Sequence, residues 1–244
     1  MITKLSLKKE QEKLHNINTN YILETTVLSK DICKKLIKYI NLFKRKNLGN
    51  MGKTENKLIS EKESKIWKGS YDTYMTNDIL LNQDKEFQKL FRSLYQVIFY
   101  HTHYYLTFAG LYGVQNIGMN LKDFSSNKKK SFSKDIVWEH ICFRKYSKNS
   151  GYNKIHCDKP IGSNRILAGI IYLNDLDDGN TVFPVLNHKI QPKTGKLALF
   201  PSSFTHLHYA EDSKKYKYCI VFHTREITDV LNGTTVPPAL IKGD

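Results

Sequence analysis

Apolar positions follow two different periods along this chain. In the first half they recur at helical spacing. Ser29 and Asp31 offer N-caps for a helix through Cys33, Leu36, Ile37 and Ile40. Phe87, Leu90, Phe91, Leu94, Tyr95 and Ile98 form a longer stripe that predicts a second helix with one core-facing side. A short β-like run, 22–27, precedes the first helix. From residue 136 onward the pattern changes to short β-rich runs: 136–146, 153–157, 166–173, 181–185, 196–200 and 216–223. Turn clusters separate them, notably Asp177-Asp178-Gly179-Asn180 and Pro192-Lys193-Thr194-Gly195. Short strands at this spacing predict an all-β sandwich or barrel behind the helices, so the fold class is mainly β with flanking helices, α+β.

This layout divides the chain into a polar lead-in over 1–20, a helical support region of the same domain over 21–135, a β-core over 136–226 and a tail over 227–244. The polar stretches 47–65 and 121–134 read as loops. The lead-in has no apolar core for a signal peptide and no stretch reaches membrane-spanning length, so the expected location is cytoplasmic, with no membrane partner.

Composition adds two constraints. A hydrophobic share of 40% supports a packed core. Lys and Arg number 38 against 23 Asp and Glu, a net charge of +15. Such an excess suits a nucleic-acid partner, but the lysines are scattered from end to end, which favours a solvated surface. The four cysteines, Cys33, Cys142, Cys157 and Cys219, include no C-x-x-C pair, which argues against a zinc ribbon or a thioredoxin-like site.

Candidate chemistry gathers in the β-core. His156-Cys157-Asp158 places an imidazole and a carboxylate two residues apart, on one face if the segment is a strand. Alone this is a weak signal. Fifty residues on, Thr205-His206-Leu207-His208 offers two further histidines after the strand 196–200. Two histidines and one carboxylate would form a facial triad with open positions, which suits non-haem Fe(II). Lys217 then falls in an otherwise apolar and aromatic strand, on the face of Cys219 and Val221. An interior ammonium calls for an anion, and a small dicarboxylate is a good candidate.

The stretch 143–222 resembles the iron- and 2-oxoglutarate-dependent oxygenases of the prolyl 4-hydroxylase type, including the small versions carried by viruses and bacteria. The motifs are Tyr146, Gly151-Tyr152, His156-Cys157-Asp158, Arg165, Ile171-Tyr172-Leu173-Asn174, Gly179-Asn180-Thr181-Val182-Phe183, Lys193 to Ser202, Thr205-His206 and Lys217-Tyr218. The chain departs from the family pattern at Asp178-Gly179-Asn180-Thr181, where relatives usually read Gly-Gly-Glu-Thr, and at His223, where they often carry Trp.

The resemblance implies a double-stranded β-helix, a jelly-roll barrel with N-terminal support helices. It implies His156, Asp158 and His206 as metal ligands and catalytic centre, with His208 as the fallback for His206. Lys217 would pair with the distal carboxylate of 2-oxoglutarate, and Tyr146 and Thr181 would add hydrogen bonds near it. The implied cofactors are Fe(II) and 2-oxoglutarate, with O2 as cosubstrate and ascorbate as a further candidate. The implied reaction is hydroxylation of a peptidyl proline or similar group, in a peptide or a small molecule, with release of succinate and CO2. Two alternatives stand beside it: a nucleic-acid oxygenase of the same chemistry, and a non-catalytic barrel that serves as a binding module. His101 and His103 read as packed or surface residues of the second helix, and Trp67 and Tyr71 as candidates for lining the substrate entrance.

Overall fold

A computed structural model describes residues 20–51, 68–108 and 136–226. The lead-in up to residue 19, the tail, the segment 121–134, Trp67 and most of the stretch 47–65 lie outside the described residues. In chain order the elements are β1 (Leu23–Thr26), α1 (Lys30–Arg45), β2 (Asn50–Met51), β3 (Ser70–Tyr74), α2 (Asn77–Leu81), α3 (Lys85–Phe108), β4 (Ile136–Trp138), β5 (Cys142–Tyr146), β6 (Ser150–His156), β7 (Arg165–Tyr172), β8 (Thr181–Phe183), β9 (His188–Ile190), β10 (Lys196–Pro201), β11 (His208–Ser213) and β12 (Lys217–Glu226).

The helices begin where polar side chains cap them. Ser29 accepts from the Ile32 amide at the start of α1, and Thr76 accepts from the Ile79 amide at the start of α2. Lys44 and Arg45 in the last turn of α1 complement its dipole.

Two antiparallel sheets face each other as a jelly roll. The larger has the order β1-β10-β7-β12-β5-β3-β2, with β4 also paired to β12, and the smaller has the order β6-β11-β8-β9. A single bridge between Lys68 and Tyr152 links the two at one side.

Strand alternation gives the large sheet two faces of different character. Phe143, Leu167, Ile171, Leu197, Leu199, Ile220 and Phe222 point outward and join the helices in the main core with Leu36, Ile40, Phe43, Phe87 and Phe91. Phe143 anchors this layer, with ring centroids 5.8 Å from Phe43, 5.7 Å from Phe87 and 6.2 Å from Phe91. Burying such rings contributes about 2–3 kcal/mol each. The opposite face carries Cys142, Tyr146, Tyr172, Ala198, Phe200, Cys219 and Val221, which line the barrel interior. The helices support the sheet from behind, and the inward face is left for chemistry.

The turn before β10 shows how tightly the first strand is docked. Gly195 has φ +80° and a Cβ there would meet the Leu28 carbonyl oxygen at 2.0 Å. Its own carbonyl accepts from the Val27 amide at 2.8 Å. Only glycine fits both the backbone conformation and the approach.

Among the described residues, no helix is long and apolar enough to cross a membrane. The region read as helical support also contains β2 and β3, and β9 and β11 join the core without having been anticipated. Tyr71 is buried, and its hydroxyl accepts from the Gly49 amide at 2.7 Å; it therefore does not line an entrance.

Candidate metal and cosubstrate site

Strand pairing brings two of the ligand candidates together. β6 ends at His156 and β11 begins at His208, and these residues are direct partners in the β6–β11 ladder. Their ring centroids are 4.5 Å apart. Asp158 follows in the bend after β6, so it joins the pair from the loop and not from the strand itself. His208 Nε2 lies 3.4 Å from Asp158 Oδ2, and His156 Nε2 lies 3.9 Å from Oδ1. One ligand atom from each of the three residues falls within 4.8 Å of the others.

The sequence preference for His206 is corrected by this geometry. His206 sits in a 3-10 turn, Phe204–His206, and its Nε2 is 2.8 Å from the Asn20 carbonyl. A carbonyl can only accept, so that nitrogen carries the proton and has no lone pair to offer. Its Nδ1 faces the Thr205 hydroxyl at 2.9 Å. His206 is thus a latch on the chain before β1, and His208 takes the place beside Asp158.

The same rule fixes the tautomers of the other two rings. His156 Nδ1 is 2.8 Å from the Lys154 carbonyl, and His208 Nδ1 is 2.9 Å from the His206 carbonyl. Both Nδ1 atoms must donate, which leaves both Nε2 atoms on the side of Asp158. Backbone carbonyls that orient ring ligands in this way are a regular feature of metal sites. Burial, with His208 close by, pushes His156 down to about 4, so its ring is neutral near pH 7. Burial raises the Asp158 carboxyl, but His208 and His223 outweigh it and hold the group well below the ordinary carboxylate range. Two imidazoles and one carboxylate, with no fourth protein ligand in the cluster among the described residues, fit Fe(II).

A further network, not anticipated from the sequence, braces Asp158. Arg165 donates to its backbone carbonyl at 2.9 Å and grips Glu139 through Nε and Nη2 at 2.6 Å each. Arg225 also donates to Glu139. His223 Nε2 lies 3.4 Å from Asp158 Oδ1, and its Nδ1 lies 3.6 Å from Glu139. Glu139 stands in no recognisable motif, inside the β-like run 136–146, so no sequence signal singled it out.

Lys217 is at the base of the same cavity, whose volume is about 270 Å³. β12 lies between β7 and β5, so Lys217 is on an interior strand and its residue is 2% exposed. Its Nζ donates to the Gly179 carbonyl at 2.9 Å and stands 4.4 Å from the centroid of the Tyr146 ring. Gly179 has φ +69°, in the turn read as Asp177 to Asn180. Burial pushes the ammonium down to about 8, and Arg144 pushes the same way. Tyr146 and Thr181 both line the cavity, and Thr181 Oγ1 accepts from the Tyr172 hydroxyl at 2.7 Å. The cavity thus joins a His/Asp cluster to a buried cation, with the space between them open to a small molecule.

Comparisons with known proteins agree with this architecture. Residues 141–225 match the family model described as the 2OG-Fe(II) oxygenase superfamily. That segment is similar to the oxygenase domain of a class of enzyme whose cofactors are Fe(II) and 2-oxoglutarate. A prolyl 4-hydroxylase-like protein of Acanthamoeba polyphaga mimivirus is 41% identical over 68 residues, which cover 23% of this chain and 28% of that protein. The match therefore spans little more than a quarter of that relative's length.

Among solved structures, a prolyl hydroxylase from Trichoplax adhaerens, in complex with a hypoxia inducible factor peptide fragment, aligns with TM-score 0.64 at 15% identity, covering 92% of this chain and 94% of that one. A Pseudomonas putida prolyl-4-hydroxylase aligns with TM-score 0.56 at 14% identity, over 87% and 96% of the two chains. A viral collagen prolyl hydroxylase from Paramecium Bursaria Chlorella virus-1, in complex with 2OG, aligns with TM-score 0.51 at 17% identity, over 84% and 96%. At these identities the likeness establishes a shared fold.

Proposed function

We propose that this chain is an Fe(II)- and 2-oxoglutarate-dependent dioxygenase that hydroxylates a peptidyl proline, with release of succinate and CO2. The observation that carries the reading is the convergence of His156, Asp158 and His208 in one cavity with the buried ammonium of Lys217. His156, Asp158 and His208 would hold the iron. Bound there, Fe(II) and 2-oxoglutarate supply the activation of O2 and the oxidising power that a C–H bond requires.

The chain's own residues supply position and charge. The carbonyls of Lys154 and His206 keep both Nε2 atoms directed inward. Arg165 and Glu139 brace the loop that carries Asp158. Lys217 would receive the distal carboxylate of 2-oxoglutarate as a charge-assisted pair. Tyr146 and Thr181 would contribute hydrogen bonds near that end. The apolar wall of Ile170, Val221 and Cys219 would exclude water from the alkyl chain between the two ends.

The choice of peptidyl proline draws on the relatives, which are named as prolyl hydroxylases. The test is release of CO2 from carboxyl-labelled 2-oxoglutarate by the iron-loaded protein, followed by mass spectrometry of proline-containing peptides. Iron-dependent CO2 release with the gain of one oxygen on proline supports the reading. CO2 release without oxygen on any peptide would move the substrate elsewhere. No CO2 release would reject the reading.

A further inference from the structure

Among the described residues, one wall of the cavity carries more positive charge than its neighbours neutralise. β5 turns Cys142, Arg144 and Tyr146 inward, and β12 turns Val221, Cys219 and Lys217 onto the same face, with Arg144 directly opposite Cys219 and Tyr146 opposite Lys217. Arg144 Nε and Nη2 donate to the two oxygens of Asp72, each at 2.9 Å. Lys68 Nζ donates to the same carboxylate at 2.6 Å, and Ser70 donates to it at 2.8 Å. The side chains of Lys68, Asp72 and Arg144 are only 6%, 4% and 12% exposed. One carboxylate therefore answers two buried cations.

The geometry of the surplus faces the cavity. Asp72 occupies the Nε–Nη2 edge of the guanidinium. Among the described residues, the Nη1 side reaches only the Tyr146 hydroxyl, at a long 3.4 Å. Lys68 lies over the Tyr152 ring at 5.8 Å, and both cations line the same cavity as the His/Asp cluster. A buried charge without a counter-ion is costly. In the oxygenase reading the two carboxylates of 2-oxoglutarate would be matched elsewhere, one at the His/Asp cluster and one at Lys217. A planar guanidinium edge is well suited to a further carboxylate.

We propose that Arg144 and Lys68, bridged by Asp72, form a second carboxylate-binding subsite in the cavity wall, separate from Lys217. This rests on the oxygenase reading, because both subsites share one cavity. The carboxylate comes from an acidic residue of a peptide substrate.

The test is anaerobic calorimetry on the protein loaded with Mn(II). In one arm it is titrated with 2-oxoglutarate. In the other it is first saturated with N-oxalylglycine and then titrated with matched short peptides containing Pro-Asp or Pro-Asn. The variants are Lys68→Gln and the double variant Asp72→Asn with Arg144→Gln, which removes the ion pair without leaving Asp72 charged. A tenfold or greater loss of 2-oxoglutarate affinity in the variants overturns the proposal, because the two cations would then belong to the cosubstrate site. Unchanged 2-oxoglutarate affinity, with a tenfold loss of the Asp-over-Asn preference, assigns it to the substrate. Variants that melt cooperatively and change neither quantity overturn the proposal. Lys68→Gln keeps the Arg144–Asp72 pair intact and is expected to shift the same quantity in the same direction, so the outcome does not hang on the fold of the double variant. Wild-type protein that binds no 2-oxoglutarate would instead reject the oxygenase reading.

Discussion

His156 and His208 are directly opposed across the β6–β11 ladder, with ring centroids 4.5 Å apart. Each ring donates Nδ1–H to a backbone carbonyl, so their Nε2 atoms converge on Asp158. The pairing register, and not sequence spacing, therefore decides which histidine of the Thr205-His206-Leu207-His208 stretch faces the cluster.

Substitution separates the two histidines. His208→Ala is expected to lower Fe(II) or Mn(II) affinity by about 100-fold or more, beyond the range typical for loss of an outer-shell partner. His206→Ala is expected to keep metal binding and to cost about 1 kcal/mol of stability, the usual worth of one hydrogen bond, here to Asn20. Metal stoichiometry after dialysis, with a thermal melt of each variant, checks both. Retention of metal by the His208 variant would refute this ligand assignment.

Affinity for 2-oxoglutarate is expected to fall as the pH rises through about 8. Burial pushes Lys217 down to about 8 in the free protein, and the paired form of the cosubstrate needs its proton. Lys217→Arg stays charged across this range and is expected to flatten the profile. Titration of the Mn(II) protein between pH 6.5 and pH 9.5, about 1.5 units either side of that value, is the measurement. A wild-type profile without a break would count against Lys217 as the anchor.

Acid should weaken the fold through His101, away from the site. This ring is 5% exposed, and burial pushes it down to about 4 from the ordinary 6.5. Between these values the unfolded chain binds the proton and the folded chain does not. Stability contributed by the neutral ring is thus present above pH 6.5 and declines as pH falls toward 4, by up to about 3 kcal/mol. Melting temperature against pH for the wild type and for His101→Phe tests this; the variant is expected to show the shallower decline.

Phe143 joins the helical layer to the large sheet. Phe143→Ala removes a fully buried ring in contact with Phe43, Phe87 and Phe91, and is expected to destabilise by about 3–5 kcal/mol. Urea unfolding measures it. Loss of metal binding in parallel would show that the helices keep the sheet in register for chemistry.

Much of this was legible locally. The stripe from Phe87 to Ile98 belongs to α3, and Ser29 caps α1, because helical periodicity and capping are short-range properties. The strands β7, β10 and β12 were visible as apolar runs, because the large sheet is covered on its outer face by helices and closed on its inner face. Lys217 stood out because alternation put a charge on an interior face. Arg144 carried the same signal beside Cys142 and Tyr146, but its partner Asp72 lies far off in the chain, in a segment without a clear strand pattern.

β11 shows where local reading fails. Its sequence, His208-Tyr209-Ala210-Glu211-Asp212-Ser213, is polar and poor in β-formers, yet it is held as a strand by pairing with β6 and β8. Without that strand, His206 and His208 cannot be told apart. By itself the chain specifies its helices, its apolar strands, and the residue types needed for a metal and an anion. Which histidine joins Asp158, that Glu139 braces it, and that Asp72 is shared by two buried cations are settled by tertiary structure. They depend on contacts between strands and loops distant in sequence, and no local pattern encodes the register that brings them together.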